Sequence, residues 1–210
     1  MLLTSVWFKI MEHSGRLILK VEGEGNSYFL WNGTETYYKK LRLAYQDIKK
    51  DNTNEYSYFS FIILCAATLE YSLNYLIADY CLNSYGPVKC KPFIDAYTSL
   101  SFKNKILMIP SILSEGKLLF NEDKKAYKKL NELVGLRNKI MHGKEFINEF
   151  NSPNLLNTTE NEIEIQLEAK QNPIDRLDKI RCIEFGKALG DFKKYLMRPW
   201  FNHNLKENQL

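Results

Sequence analysis

The chain has 210 residues, 45% of them hydrophobic and 26% charged, with a formal net charge of +4. Those values fit one globular domain, or one with an appendage, long enough to bury a sizeable core. The four cysteines lack C-x-x-C spacing and histidines at zinc-finger spacing, so reduced thiols are expected rather than a disulfide framework or metal site; Cys65, in an apolar run, and Cys182, on an amphipathic helix, read as buried.

The opening "MLLTSVWFKIMEHSG" has no basic start, clean apolar segment or cleavage site, so no secretory signal is expected and the protein is expected in the cytoplasm. Residues 4–31 alternate between apolar and polar, with turns at Ser14-Gly15 and Gly25-Asn26, and predict two or three antiparallel strands. Asn32-Gly33 then punctuates the chain, and Thr34 or Thr36 is placed to cap a helix carrying Tyr37, Leu41, Tyr45 and Ile48 on one face.

A second helix is predicted from about Glu55 to Asn83. Its stretch Tyr58–Ala78 is apolar enough to raise the question of a membrane span, but Glu70 and Asn74 interrupt it. A central helix buried nearly all round is the expectation, with no membrane contact. "SYGPVKCKP" reads as loop, and a shorter helix follows over about Phe102–Leu113, with Pro110 near its end.

The fourth helix lies in "NEDKKAYKKLNELVGLRNKIMHG". Asn121 suits its N-cap, Glu122 and Asp123 its positive N-terminus, and Gly143 its C-terminal stop. Tyr127, Leu130, Leu133, Val134 and Ile140 form the apolar stripe. "EIEIQLEA", residues 162–169, alternates strictly and predicts a short β insertion. A last helix is expected over about Ile174–Met197, opened by Pro173.

The expected architecture is mainly α: a bundle of four to five helices with a small antiparallel β element. Residues 1–33 form that β appendage. Residues 34–200 form the helical domain, with a core of 34–150 and 173–197 and an insertion at 148–172.

The chemistry concentrates in "LRNKIMHG". On a helix Asn138 and His142 share a face one turn apart, whereas Arg137 stands about 140° round from His142. One such helix offers half a site. Two related by a two-fold axis would line a cleft with paired arginines, asparagines and histidines. Such a cleft suits phosphodiester chemistry, because histidine moves protons near neutral pH and the guanidinium fork matches phosphate oxygens. RNA supplies its own nucleophile, the 2′-hydroxyl. The bare spacing is unspecific: Arg198 and His203 repeat it beside Pro199. A plain helix end would also place Arg and His near its C-terminus. No P-loop, G-x-G-x-x-G, G-x-S-x-G or H-E-x-x-H is present. The lysine-bearing helix faces read as mostly solvated surface.

The stretch "LNELVGLRNKIMHG" resembles the motif helix of HEPN domains, which ends Leu-Arg-Asn-x-x-x-His-Gly. The resemblance covers about residues 34–150 and the last helix, and "AATLEYSLNYLI", with Glu70, is similar to the family's long early helix with its acidic residue. It implies an all-helical, usually dimeric fold and a metal-independent endoribonuclease of a toxin–antitoxin or phage-defence setting, with RNA, a second copy and an antitoxin or defence protein as partners and no cofactor. It implies that Arg137 and His142 are catalytic, that Asn138 supports them, and that Glu70 orients one of them. The alternative is a non-catalytic HEPN module that binds RNA, a nucleotide or a protein. One departure stands out: His142 is followed by Gly143 and Lys144 rather than x-Tyr, which sets the chain apart from the group regulated at that tyrosine.

Overall fold

The computed structural model describes residues 15–18, 28–50, 54–116, 125–142, 159 and 177–197. Strands β1 (Gly15–Ile18) and β2 (Tyr28–Trp31) pair antiparallel, Gly15 opposite Trp31 and Ile18 opposite Tyr28. The expected earlier strand, the β segment at 162–169, Asn121, Glu122, Asp123 and Gly143 lie outside the described residues.

Helix α1 spans Thr34–Ile48. Neither threonine caps it from outside. Thr34 is its first residue, and the Asn32 side chain accepts from the Thr34 amide at 3.2 Å and from its hydroxyl at 2.6 Å. Asn is as good an acceptor for the unpaired first-turn donors as Thr, and Asn32 directly follows the strand. Tyr38, Leu41 and Ile48 are buried on the inner face, while Tyr37 and Tyr45 are half-buried beside it.

Helix α2 runs from Glu55 to Thr98 and breaks at Gly86, whose φ of 73° and ψ of 168° are non-helical. It starts on Asn54, whose side chain accepts from the Ser57 amide at 2.9 Å. The loop expected over "SYGPVKCKP" is therefore a one-residue break. Glycine takes the positive φ without a Cβ penalty, and Pro87 then opens the resumed helix, where a missing N–H costs nothing. Tyr85 and Phe93 stack across the break at 3.8 Å, 12° from parallel.

The upper part of α2 is the axis of the bundle and packs against α1 and against the three helices that follow. Phe61, Ile62, Cys65, Leu69, Leu73 and Leu76 are essentially inaccessible. Each large side chain so buried contributes about 1.5–3 kcal/mol relative to exposure. The two hydroxyls buried with them, Thr68 and Ser72, donate to the carbonyls of Leu64 and Thr68, both at 2.7 Å. The helix is long and apolar enough to cross a membrane, and 67% of its most apolar window is buried inside the protein.

Helix α3 covers Phe102–Leu113, with Ser101 accepting from Asn104 at its start and Pro110 buried near its end. Helix α4 covers Lys125–His142 and α5 covers Lys179–Phe192, which continues as a wider π turn through Met197. The last helix thus begins five residues later than the sequence suggests. Leu177 and Asp178 are not helical, and the Asp178 carboxylate accepts from the Arg181 amide at 2.7 Å, which caps the helix there. Phe185, Leu189, Phe192 and Leu196 return to one face and are buried. All four cysteines are free and buried: Cys65 and Cys182 as their surroundings in the sequence imply, and Cys81 and Cys90 with them.

The hairpin is tied to the bundle through Tyr71 of α2. Its hydroxyl donates to the Trp31 carbonyl and accepts from the Gly33 amide, both at 2.7 Å, and its ring stacks on Tyr37 at 4.6 Å. At the far edge, Lys129 and Glu132 of α4 interlock with Arg181 and Glu184 of α5. Lys129 meets Glu184 at 2.6 Å and Glu132 at 3.0 Å, and Arg181 meets Glu132 at 3.0 Å.

Candidate functional site

Helix α4 buries Tyr127, Leu130, Leu133, Val134 and Leu136. Arg137 stands one turn beyond Leu133 and Val134, so the same stripe carries it toward α2. Its guanidinium cannot end in an apolar core, and it does not. Nη2 lies 3.6 Å from Glu70 Oε2, and Nη1 donates to Asn138 Oδ1 at 3.0 Å. Arg137 keeps 28% of its side-chain surface and Glu70 keeps 35%, so the pair lies at the rim of the α2–α4 contact, within reach of a ligand.

Glu70 is therefore beside Arg137, and Asn138 holds the guanidinium from its own helix. Of the four residues singled out in the sequence, the structure brings these three together. His142 is the last residue of α4, one turn on from Asn138 in helical register. Two exposed features lie nearby on the same helix. Met141 is 57% exposed. Gly135 is also exposed, and a Cβ built there would meet nothing within 4 Å.

Sequence reasoning missed the second layer beneath Glu70. Asn74, one turn further along α2, accepts from Lys105 Nζ of α3 at 2.8 Å. Lys105 is only 4% exposed. Burial pushes its ammonium below the usual lysine range, and the negative charge of Glu70 pulls it part of the way back. The signal was present in "FKNKILMIPSIL". Lys105 sits at the position where the apolar stripe of Phe102, Ile106, Ile109 and Leu113 calls for a hydrophobe. A lysine there needs a partner, and α2 offers a glutamate and an asparagine one turn apart.

The arrangement runs across three helices through Asn138, Arg137, Glu70, Asn74 and Lys105, of which Lys105 is the buried one. Glu70 pairs with Arg137, and one turn along the same helix Asn74 holds the Lys105 ammonium. A guanidinium so held is a ready-placed clamp for an anion, because its fork is oriented before the ligand arrives. Among the described residues no three His, Cys, Asp or Glu side chains gather as metal ligands. The chain matches no protein-family model, no curated protein and no solved structure.

Proposed function

We propose that the chain is an endoribonuclease of the HEPN type that acts as a homodimer, with Arg137, Asn138 and His142 from each copy lining one composite site. The observation that carries this reading is the Arg137 guanidinium, half-exposed and held by Asn138 and Glu70 on the motif helix. It is supported by the place of that helix in a mainly helical bundle and by the bare backbone at Gly135. Gly135, Asn138 and His142 recur at i, i+3 and i+7. A second copy of α4 would therefore approach most closely on the face that carries the polar pair.

In the proposed reaction Arg137 binds the scissile phosphate and offsets the charge that builds on its oxygens. The 2′-oxygen attacks phosphorus and loses its proton to a base, the bond to the 5′-oxygen breaks, and that oxygen takes up a proton. His142 is the group suited to the proton transfers near neutral pH. The products are a 2′,3′-cyclic phosphate and a 5′-hydroxyl. The RNA it cuts, and an antitoxin or defence-system protein that restrains or triggers it, belong to the same reading.

The test is RNA cleavage by the purified chain in EDTA, alone and with proteins encoded beside it. Wild type is expected to leave those two ends. Arg137→Ala and His142→Ala are each expected to lose at least about a hundredfold in rate, as removal of a catalytic group does. Gly135→Trp is expected to separate the copies in sizing and light scattering and to abolish cleavage with the fold intact. RNA that binds and survives uncut would turn the reading toward a non-catalytic RNA-binding module. RNA that neither binds nor is cut would remove it.

A further inference from the structure

Two charged side chains among the described residues are nearly inaccessible, Asp79 at 1% and Lys105 at 4%. Lys105 is held by Asn74, one helical turn from Glu70 of the candidate site. An ammonium taken out of water is costly unless partners repay it, and an apolar residue of similar length would serve the packing of α3 equally well. Its partners are Asn74 at 2.8 Å and the charge of Glu70, and Glu70 is also the acidic partner of Arg137 at 3.6 Å.

The electrostatic consequence follows from counting. An Arg137–Glu70 pair by itself is neutral, and a phosphate approaching it meets attraction and repulsion of similar size. Lys105 is held on Asn74, one turn of α2 from Glu70, so its charge adds to the local sum and a positive charge is left over. Because Lys105 is covered by protein, salt screens it less than it would a surface lysine.

We propose that Lys105 is a positioning residue of the Arg137 site: it neutralises Glu70 from behind, so that Glu70 can orient the guanidinium without cancelling its attraction for a phosphodiester. Lys105 acts through Arg137 and touches no substrate. This rests on Arg137 being a phosphate ligand, the reading given above. It adds a reason for Asn74, whose amide oxygen keeps the ammonium on the Glu70 side of α3.

The experiment measures binding of a 2′-O-methyl single-stranded RNA, which cannot be cut, to the full chain over a range of salt, with thermal melts as a control on folding. Lys105→Met is expected to weaken binding roughly tenfold with the salt slope little changed, because no phosphate contact is lost. Glu70→Gln alone is expected to tighten it by a similar factor. The double variant Lys105→Met/Glu70→Gln restores the charge balance and is expected to return to within about threefold of wild type. A lysine that only supported the helix packing would not be rescued by removal of its partner's charge, so a double variant as weak as Lys105→Met overturns the proposal. Should Lys105→Met fail to fold, Glu70→Gln still decides, since binding that does not tighten also overturns it. Lys105→Met binding like wild type, while Arg137→Ala binds weakly, sinks this proposal and leaves the RNA reading standing. Arg137→Ala binding like wild type removes both.

Discussion

At the scale of single residues, hydroxyls set in apolar surroundings can be satisfied by backbone carbonyls, as Thr68 and Ser72 are. Tyr71 shows this outside the candidate site. One hydroxyl joins the end of β2 to the start of α1 by accepting from Gly33 and donating to Trp31. Tyr71→Phe keeps the stack on Tyr37 and removes both hydrogen bonds. It is expected to cost about 1–3 kcal/mol, because the Gly33 donor loses its partner. For a chain of this size that is a fall in melting temperature of several degrees. An unchanged melt would mean that the hairpin is not held through this hydroxyl. Glu70 and Arg137 were both legible as unusual residues in the sequence. Lys105 was equally unusual, a charge on an apolar stripe, but it sits among other lysines and asparagines that are merely solvated.

At the scale of elements, helix contacts are set by the smallest residues. Gly186 of α5 faces α1 so closely that a Cβ would lie 2.7 Å from the Tyr45 ring, whereas one at Gly190, a turn further on, would meet nothing within 4 Å. The two alanine substitutions should therefore have opposite signs. Gly186→Ala is expected to destabilise by about 1–3 kcal/mol through overpacking. Gly190→Ala is expected to stabilise by about 0.5–1 kcal/mol through helix propensity alone. Urea titrations of both decide it, and a gain in both would contradict the close α1–α5 crossing. The break in α2 has a similar origin. Periodicity and composition marked "SYGP" as an end, whereas the chain needed only one glycine at positive φ before the helix resumed on Pro87.

At the scale of the whole molecule, pH acts on the bundle through the α4–α5 clamp. Lys129 hydrogen-bonds Glu184 and holds its carboxyl below the usual range, and Glu184 and Glu132 in turn raise Lys129. Glu184 therefore stabilises the fold above the ordinary glutamate range, and that contribution is lost as pH falls through its lowered value. Lys129 contributes fully below the ordinary lysine range and loses its contribution as pH rises through its raised value. Lys105 has the opposite sign. Burial lowers it, so its cost to the fold is relieved as pH climbs toward the ordinary lysine range. Between about pH 7 and about pH 3, wild-type stability in urea is expected to fall more steeply than that of Glu184→Gln, which has no proton to gain there. Parallel curves would show that the clamp is too well solvated to matter.

What the sequence by itself determined is local. A 3.6-residue period marks α1, α3 and α4, an unbroken apolar run marks α2, and alternation marks the paired strands. Those patterns arise from neighbours a few positions apart, which any stretch of chain carries with it. The site needed the tertiary structure. Glu70, Asn74, Lys105 and Arg137 lie on three helices, and nothing in their spacing says that α3 and α4 lean on the same turns of α2. That was decided by burial. The apolar stripes of the helices join one core with Leu69, Leu73 and Leu76 of α2, and at its margin Arg137 meets Glu70 and Lys105 meets Asn74.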